Sequence, residues 1–249
     1  MTGETPPRGS SPSARRDETG DASAANPSFP KLQAFWDTRY AADEYVYGTE
    51  SNDFLVQSAR AIARHGGGAA PEAAAGPWRG RVLCLADGEG RNSVWLARQG
   101  FRVTAIDAAA EGVAKALRLA ERHGVTIEAR VGDVTRDDFG RGCWEAIVSI
   151  FLHLPAKARR DVHRKAVAAL APGGVFVYEA YGPEQLRYRT GGPPEPALLH
   201  SLDDVVADLD GCAIEHAFAG VRTVNEGRLH RGDGYVVQVL ARRKAASEP

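Results

Sequence analysis

Apolar positions along the chain change period several times, and the changes mark out elements. From position 81, short runs rich in β-branched residues alternate with longer stretches of helical period. The runs fall at 82–85, 102–106, 126–131, 146–151 and 175–178, lengths that suit buried strands. Helices are predicted between them at 91–99, 109–123 and 155–170. In the second, Val113, Leu117 and Ala120 form an apolar stripe and Gly124 supplies the stop. In the third, Pro155 suits the first turn and Pro172-Gly173-Gly174 ends the element. Strands separated by helices of this length predict right-handed crossovers and a parallel sheet. Two late strands, 212–218 and 234–241, have only a turn-rich stretch between them and predict an antiparallel pair. The expected fold class is α/β, a doubly wound and mostly parallel sheet with an antiparallel terminal strand pair.

Upstream the pattern thins. Residues 1–30 contain no Val, Ile or Leu but five prolines and five serines. So little apolar surface does not offset ordering entropy, so a disordered tail is expected there, with residues 31–249 as one folded domain. Residues 53–65 read as a helix, capped by Asn52 or Asp53, with Phe54, Leu55 and Ile62 at roughly helical spacing. The Gly/Ala/Pro-rich stretch 66–80 is expected as a surface loop.

Composition narrows the function. The 249 residues hold 31 basic and 32 acidic side chains, a net charge of −1. That balance argues against nucleic-acid binding through bulk positive charge. No run approaches the roughly 18 apolar residues a bilayer crossing needs, and the start lacks the apolar core of a secretory signal. Cys84, Cys143 and Cys212 form no CxxC pair, which fits a reducing compartment and gives no zinc site. A cytoplasmic protein with a small-molecule substrate, no membrane or nucleic-acid partner and no metal is expected. The oligomeric state is not legible.

The candidate chemistry begins where the run ending at Leu85 enters Ala86-Asp87-Gly88-Glu89-Gly90. Gly88 and Gly90 let the backbone turn tightly and approach a ligand. The amides of the following helix then favour negative charge nearby. Nineteen residues after Gly88 the next strand ends at Asp107, whose carboxylate can accept both hydroxyls of a ribose. A third strand ends in Gly132-Asp133-Val134. Asp133 is placed to accept from an adenine amino group with Val134 on the ring, or to serve as a turn residue. Together these predict an adenine-nucleoside pocket at the carboxyl ends of the strands. His153, directly after the fourth strand, is a candidate base, and Glu179 and Tyr181 at the end of the fifth are candidates for the substrate side. Trp36, Tyr40, Tyr45, Tyr47 and the loop 182–200 offer material for a lid. Cys84 reads as a small buried hydrophobe.

At these residues the sequence resembles the class I S-adenosylmethionine-dependent methyltransferases, which have a Rossmann-like sheet. The nearest likeness is to the tellurite-resistance and thiopurine-type subgroup. The resemblance rests on FWDTRYAADEYVYGTESNDFL, VLCLADGEGRNSVWLARQGFRVTAID and FVYEAYGPEQLRYRTGGPP. It implies S-adenosylmethionine as cofactor, with the turn 86–90 and Asn92 around its methionine part, Asp107 on the ribose and Asp133 facing the adenine. Trp36 and Tyr47 are then placed to stack on the sulfonium or adenine. Many members carry an acid where Cys84 stands and a glycine where Ala86 stands, and Asp87 is the residue available to take over the charge pairing. Two other readings compete: a nicotinamide-dependent oxidoreductase, for which Ser93 replaces the third fingerprint glycine, and a non-catalytic binding module. A terminal strand antiparallel to the rest favours the methyltransferase over the oxidoreductase.

Overall fold

The computed structural model describes residues 27–65 and 80–245, with most of the expected tail (1–30) and of the expected surface loop (66–80) outside that range. Helices α1 (Phe29–Tyr40) and α2 (Asp53–His65) precede the sheet. The alternating part runs β1 (Arg81–Leu85), α3 (Arg91–Arg98), β2 (Arg102–Asp107), α4 (Ala110–Arg122), β3 (Glu128–Val131), β4 (Trp144–Ile150), α5 (Ala156–Ala169) and β5 (Leu170–Tyr181). A short α6 (Leu202–Ala207) leads to the hairpin β6 (Cys212–Asn225) and β7 (Arg231–Arg243).

Period-two alternation decides the two faces of the sheet. Val82, Cys84, Ala146, Val148, Val175 and Val177 point to one side, where α2, α3 and α4 cover them. Leu83, Leu85, Ile147, Phe176 and Tyr178 point to the other, under α5 and α6. Strands buried on both faces are what a doubly wound parallel sheet requires. The order is β3-β2-β1-β4-β5-β7-β6. β1 to β5 pair in parallel, and β7 runs antiparallel to both β5 and β6. The expected architecture and the antiparallel terminal pair are therefore present.

Several element boundaries differ from expectation. Helix α1, which the sequence pattern did not locate, begins at Phe29. Pro172-Gly173-Gly174 does not end α5 but lies inside β5, where the pairing with β4 shifts register between Trp144 and Ala146. β6 extends seven residues beyond its predicted end at 218, to Asn225, because it is an edge strand whose mostly exposed side chains carry little apolar signal.

Candidate active site

The turn after β1 is built without side chains where the chain must pass close to its neighbours. Gly88 and Gly90 have φ of +61° and +93°. A Cβ on Gly90 would come within 2.6 Å of Ala116 on α4, and one on Gly88 within 2.9 Å of the Tyr40 hydroxyl. Ala86 also takes a left-handed φ, +51°, at the position where the resembling family often has glycine.

Asp107 closes the turn. Its Oδ2 accepts the Gly88 amide at 2.7 Å and its Oδ1 accepts the Ala109 amide at 2.8 Å. Each oxygen keeps a further lone pair. Burial pushes the carboxyl up to about 6 against the pull of those amides. Asp87 is tied to Ser93, through the amide at 3.3 Å and through the hydroxyl, and burial pushes it up to about 7. Asp133 serves its own turn: Oδ1 accepts the Thr135 amide at 2.9 Å and hydroxyl at 2.6 Å. Val134 is buried against Ile106 and Leu85. Asn92 is occupied elsewhere, its Oδ1 accepting the Asn52 amide at 3.0 Å and the Ser51 hydroxyl at 3.3 Å. Cys84 is buried, and burial raises its thiol well above the ordinary range, as a small core residue would be.

The aromatic N-terminal segment lies over this turn. Trp36 stacks on Tyr40 with centroids 5.5 Å apart, and Tyr40 meets Tyr47 edge-on at 6.3 Å. Tyr45 departs from the expected lid: its hydroxyl donates to the Lys115 carbonyl at 3.0 Å and its ring packs beside α4. Lys115 fastens the strap that carries these rings. Its ammonium donates to the carbonyls of Ala42 and Glu44 and to Glu89, each at 2.6 Å, and Glu89 in turn accepts the Tyr47 amide at 3.3 Å.

The ring series continues to the ends of β4 and β5. Tyr47 lies 4.6 Å from His230, His230 4.6 Å from Phe151 and 5.3 Å from Tyr181, and His153 stacks 6.0 Å from Tyr181. Phe151 has a φ of +55° just past β4, a strained backbone at the point where the chain turns into this cluster. The Tyr181 hydroxyl, His153 Nε2 and His230 Nδ1 are buried without a hydrogen-bond partner. His153 faces the Leu198 carbonyl through Nδ1 at 3.2 Å, which makes Nδ1 the donor and Nε2 a bare acceptor. Burial lowers it to about 4, so it is neutral near pH 7 and a weak base. His230, held to about 3 by burial and by Arg91, was not distinguished by sequence spacing. It joins the cluster only through the β6–β7 hairpin.

Glu179 does not face an opening. It is fully buried and accepts from Asn52 at 2.9 Å, from Arg222 and from Gln238. Asn52 also donates to Glu226 at 2.9 Å, Arg222 donates to Glu226 at 2.6 Å, and Arg91 pairs with Glu226 at 2.5 Å. This is a closed charge network, and it occupies the carboxylate expected on the substrate side. Among the described residues no cluster of His, Cys, Asp and Glu is arranged to hold a metal, and no helix is long and apolar enough to cross a membrane.

The antiparallel β7 decides against the nicotinamide-dependent reading, as does a turn that lacks the third glycine. The comparisons with known proteins agree. Residues 82–174 match a family profile described as a methyltransferase domain. No curated protein sequence matches significantly. Among solved structures, TehB from Haemophilus influenzae superposes with a TM-score of 0.60 at 16% identity, over 86% of this chain and 67% of that one. The N-methyltransferase NodS from Bradyrhizobium japonicum WM9, in complex with S-adenosyl-L-homocysteine, gives 0.59 at 16% identity, over 85% and 98%. A structure from work on the conversion of a disulfide bond into a thioacetal group during echinomycin biosynthesis gives 0.65 at 17% identity, over 87% and 93%. At these identities the structures establish the shared fold. The matched profile adds the chemistry: residues 82–174 are similar to a methyltransferase domain, and the chain is an enzyme that uses S-adenosylmethionine as its cofactor.

Proposed function

We propose that the chain is a small-molecule methyltransferase of the tellurite-resistance and thiopurine type, acting on a thiol-like or other soft acceptor in the cytoplasm. The observation that carries this is the 2.7 Å bond from the Gly88 amide to Asp107. It sets a turn free of side chains and a carboxylate with spare lone pairs side by side at the carboxyl edge of β1 and β2. Ala86, Asp87, Gly88 and Gly90 hold the methionine part of the cofactor there, and Asp107 takes the ribose hydroxyls. Asp133 and Val134 border the adenine, while Trp36 and Tyr47 cover it. Asn92 acts one step back, by fixing the Ser51-Asn52 turn against α3. The folded unit carrying these residues starts near residue 31.

When bound, the cofactor supplies an electrophilic methyl on a sulfonium whose leaving thioether is neutral. The remaining work is alignment and exclusion of water, worth on the order of several kcal/mol. The strap pinned by Lys115 and Glu89 holds its aromatic rings over the turn for that purpose. Tyr181 borders the acceptor, and His153 Nε2 accepts a hydrogen from it without acting as a strong base. The balanced charge of the chain supports a small acceptor over a nucleic acid. A soft acceptor is supported by the sulfur chemistry of the echinomycin structure and by the TehB likeness.

Calorimetry tests the reading. The intact protein is expected to bind S-adenosylhomocysteine, and Asp107→Ala to weaken binding about tenfold or more, the loss expected for hydrogen bonds to a charged group. Absence of binding to the wild type refutes the reading, and unchanged affinity in the variant removes Asp107 from the site. Release of S-adenosylhomocysteine across thiols, tellurite, selenite and small phenols then identifies the acceptor.

A further inference from the structure

Beyond the end of β5 the chain forms a depression of about 560 Å³ between the 185–194 loop and the tip of the β6–β7 hairpin. Arg189, Arg228 and Arg231 line it, and no acidic residue does. Arg228 has one acidic neighbour, Glu44 at 3.6 Å, in a pair exposed to water. Arg189 and Arg231 have no acidic partner among the described residues. Three arginines line one cavity in a chain whose net charge is −1. Left alone they repel one another, and a multivalent anion removes the repulsion.

The buried ring cluster lies directly behind the depression. Gly191 and Gly192 separate the two with backbone alone. A Cβ on Gly191 would come within 2.8 Å of both the Tyr181 hydroxyl and the His230 ring, and one on Gly192 within 2.7 Å of the Tyr181 ring. Gln185, itself buried, holds this glycine pair: its Nε2 donates to Thr190 Oγ1 at 3.0 Å and to the Gly191 carbonyl at 3.1 Å. Behind it lie two of the buried polar atoms that lack a partner, the Tyr181 hydroxyl and His230 Nδ1. Buried polar atoms are rarely left without a partner, so these point to a ligand group reaching them. We propose that the acceptor is an organic anion, a small carboxylate or phosphate ester. Arg189, Arg228 and Arg231 hold its charge, and its body reaches Tyr181 and His230 when the Gly191-Gly192 backbone, which packs against both, shifts aside. This rests on the small-molecule methyltransferase reading and adds the acceptor's charge class to it.

The test uses the full chain and saturation-transfer NMR, with and without saturating S-adenosylhomocysteine. Benzoate and phenyl phosphate serve as anionic probes and benzyl alcohol as the neutral match. At least one anion is expected to bind more tightly than benzyl alcohol and to lose at least tenfold in affinity in the Arg189→Ala/Arg231→Ala double variant. S-adenosylhomocysteine affinity should be unchanged in that variant, since neither arginine lies at the Gly88 turn. Binding of benzoate alone assigns a carboxylate, and of phenyl phosphate alone a phosphate. The proposal is overturned if neither anion binds, if neither outcompetes benzyl alcohol, or if the double variant binds them as tightly as the wild type. Failure of the wild type to bind S-adenosylhomocysteine overturns the underlying reading instead, and the cofactor-free titration still decides whether the arginines form an anion site.

Discussion

Asp87 holds the turn at a cost that depends on pH. Unfolded, its carboxyl titrates near 3.9, and in the fold burial raises it to about 7. The folded state thus keeps a proton that the unfolded chain gives up. Stability from this group is present in acid and is lost as pH rises from about 4 to about 7. Asp107, raised to about 6, adds in the same direction. Wild-type stability is therefore expected to fall between pH 5 and pH 8. Asp87→Asn keeps an acceptor for the Ser93 amide and removes the charge, so it should raise the melting temperature at pH 8 by several degrees and at pH 5 by clearly less. Thermal melts of both proteins at the two pH values check this, and parallel pH profiles would refute it. Ala86 is a second residue under tension, since a left-handed φ costs a residue with a Cβ on the order of 1 kcal/mol and glycine nothing. The spacing of Gly88, Gly90 and Asp107 was legible in the sequence, because a turn at a strand end needs those residue types. The strain at Ala86 was not, because alanine carries no sign of its φ.

At the scale of elements, period and punctuation located α2 to α5 and the strands β1 to β4 within about two residues. They failed where packing supplies no stripe. α1 buries only Tyr40, so its apolar residues show no helical face. The strap after it is fixed by contacts that no local pattern announces. Lys115 occupies a polar position on α4, yet it is almost fully buried and closes on Glu89 and two carbonyls of the strap. Replacing it with methionine leaves the Glu89 carboxylate buried without its cation. Loss of one partner of a buried pair costs about 3–5 kcal/mol. Lys115→Met is expected to lower the urea midpoint accordingly and to weaken S-adenosylhomocysteine binding, because the rings over the Gly88 turn lose their anchor. An unchanged midpoint would show that the strap is held by its aromatic contacts alone.

Across the whole molecule the sheet order places β1 and β4 side by side with their connections leaving in opposite directions, and the crevice so formed is where the turn, Asp107 and the ring cluster meet. The parallel core alone does not complete it. His230 and the arginines of the depression arrive with the β6–β7 hairpin or with the loop beside it, joining segments far apart in sequence, which is why local reading missed them. The hairpin is in turn bound to the rest by Glu179, Arg222, Glu226, Arg91 and Asn52, a network that joins β5, the hairpin, α3 and the cap of α2. Two carboxylates and two guanidinium groups balance within it, so removing one cation leaves a buried charge that every attached element feels. Arg222→Met is expected to destabilise the entire fold by about 3–5 kcal/mol, with far-UV circular dichroism and tryptophan fluorescence reporting the same shifted urea midpoint. Trp95 lies on α3 and Trp144 on β4, both outside the hairpin itself. If the hairpin were a separable edge, its loss would appear first in circular dichroism while the fluorescence midpoint stayed in place, and that split would refute the idea that the network makes core and hairpin one cooperative unit.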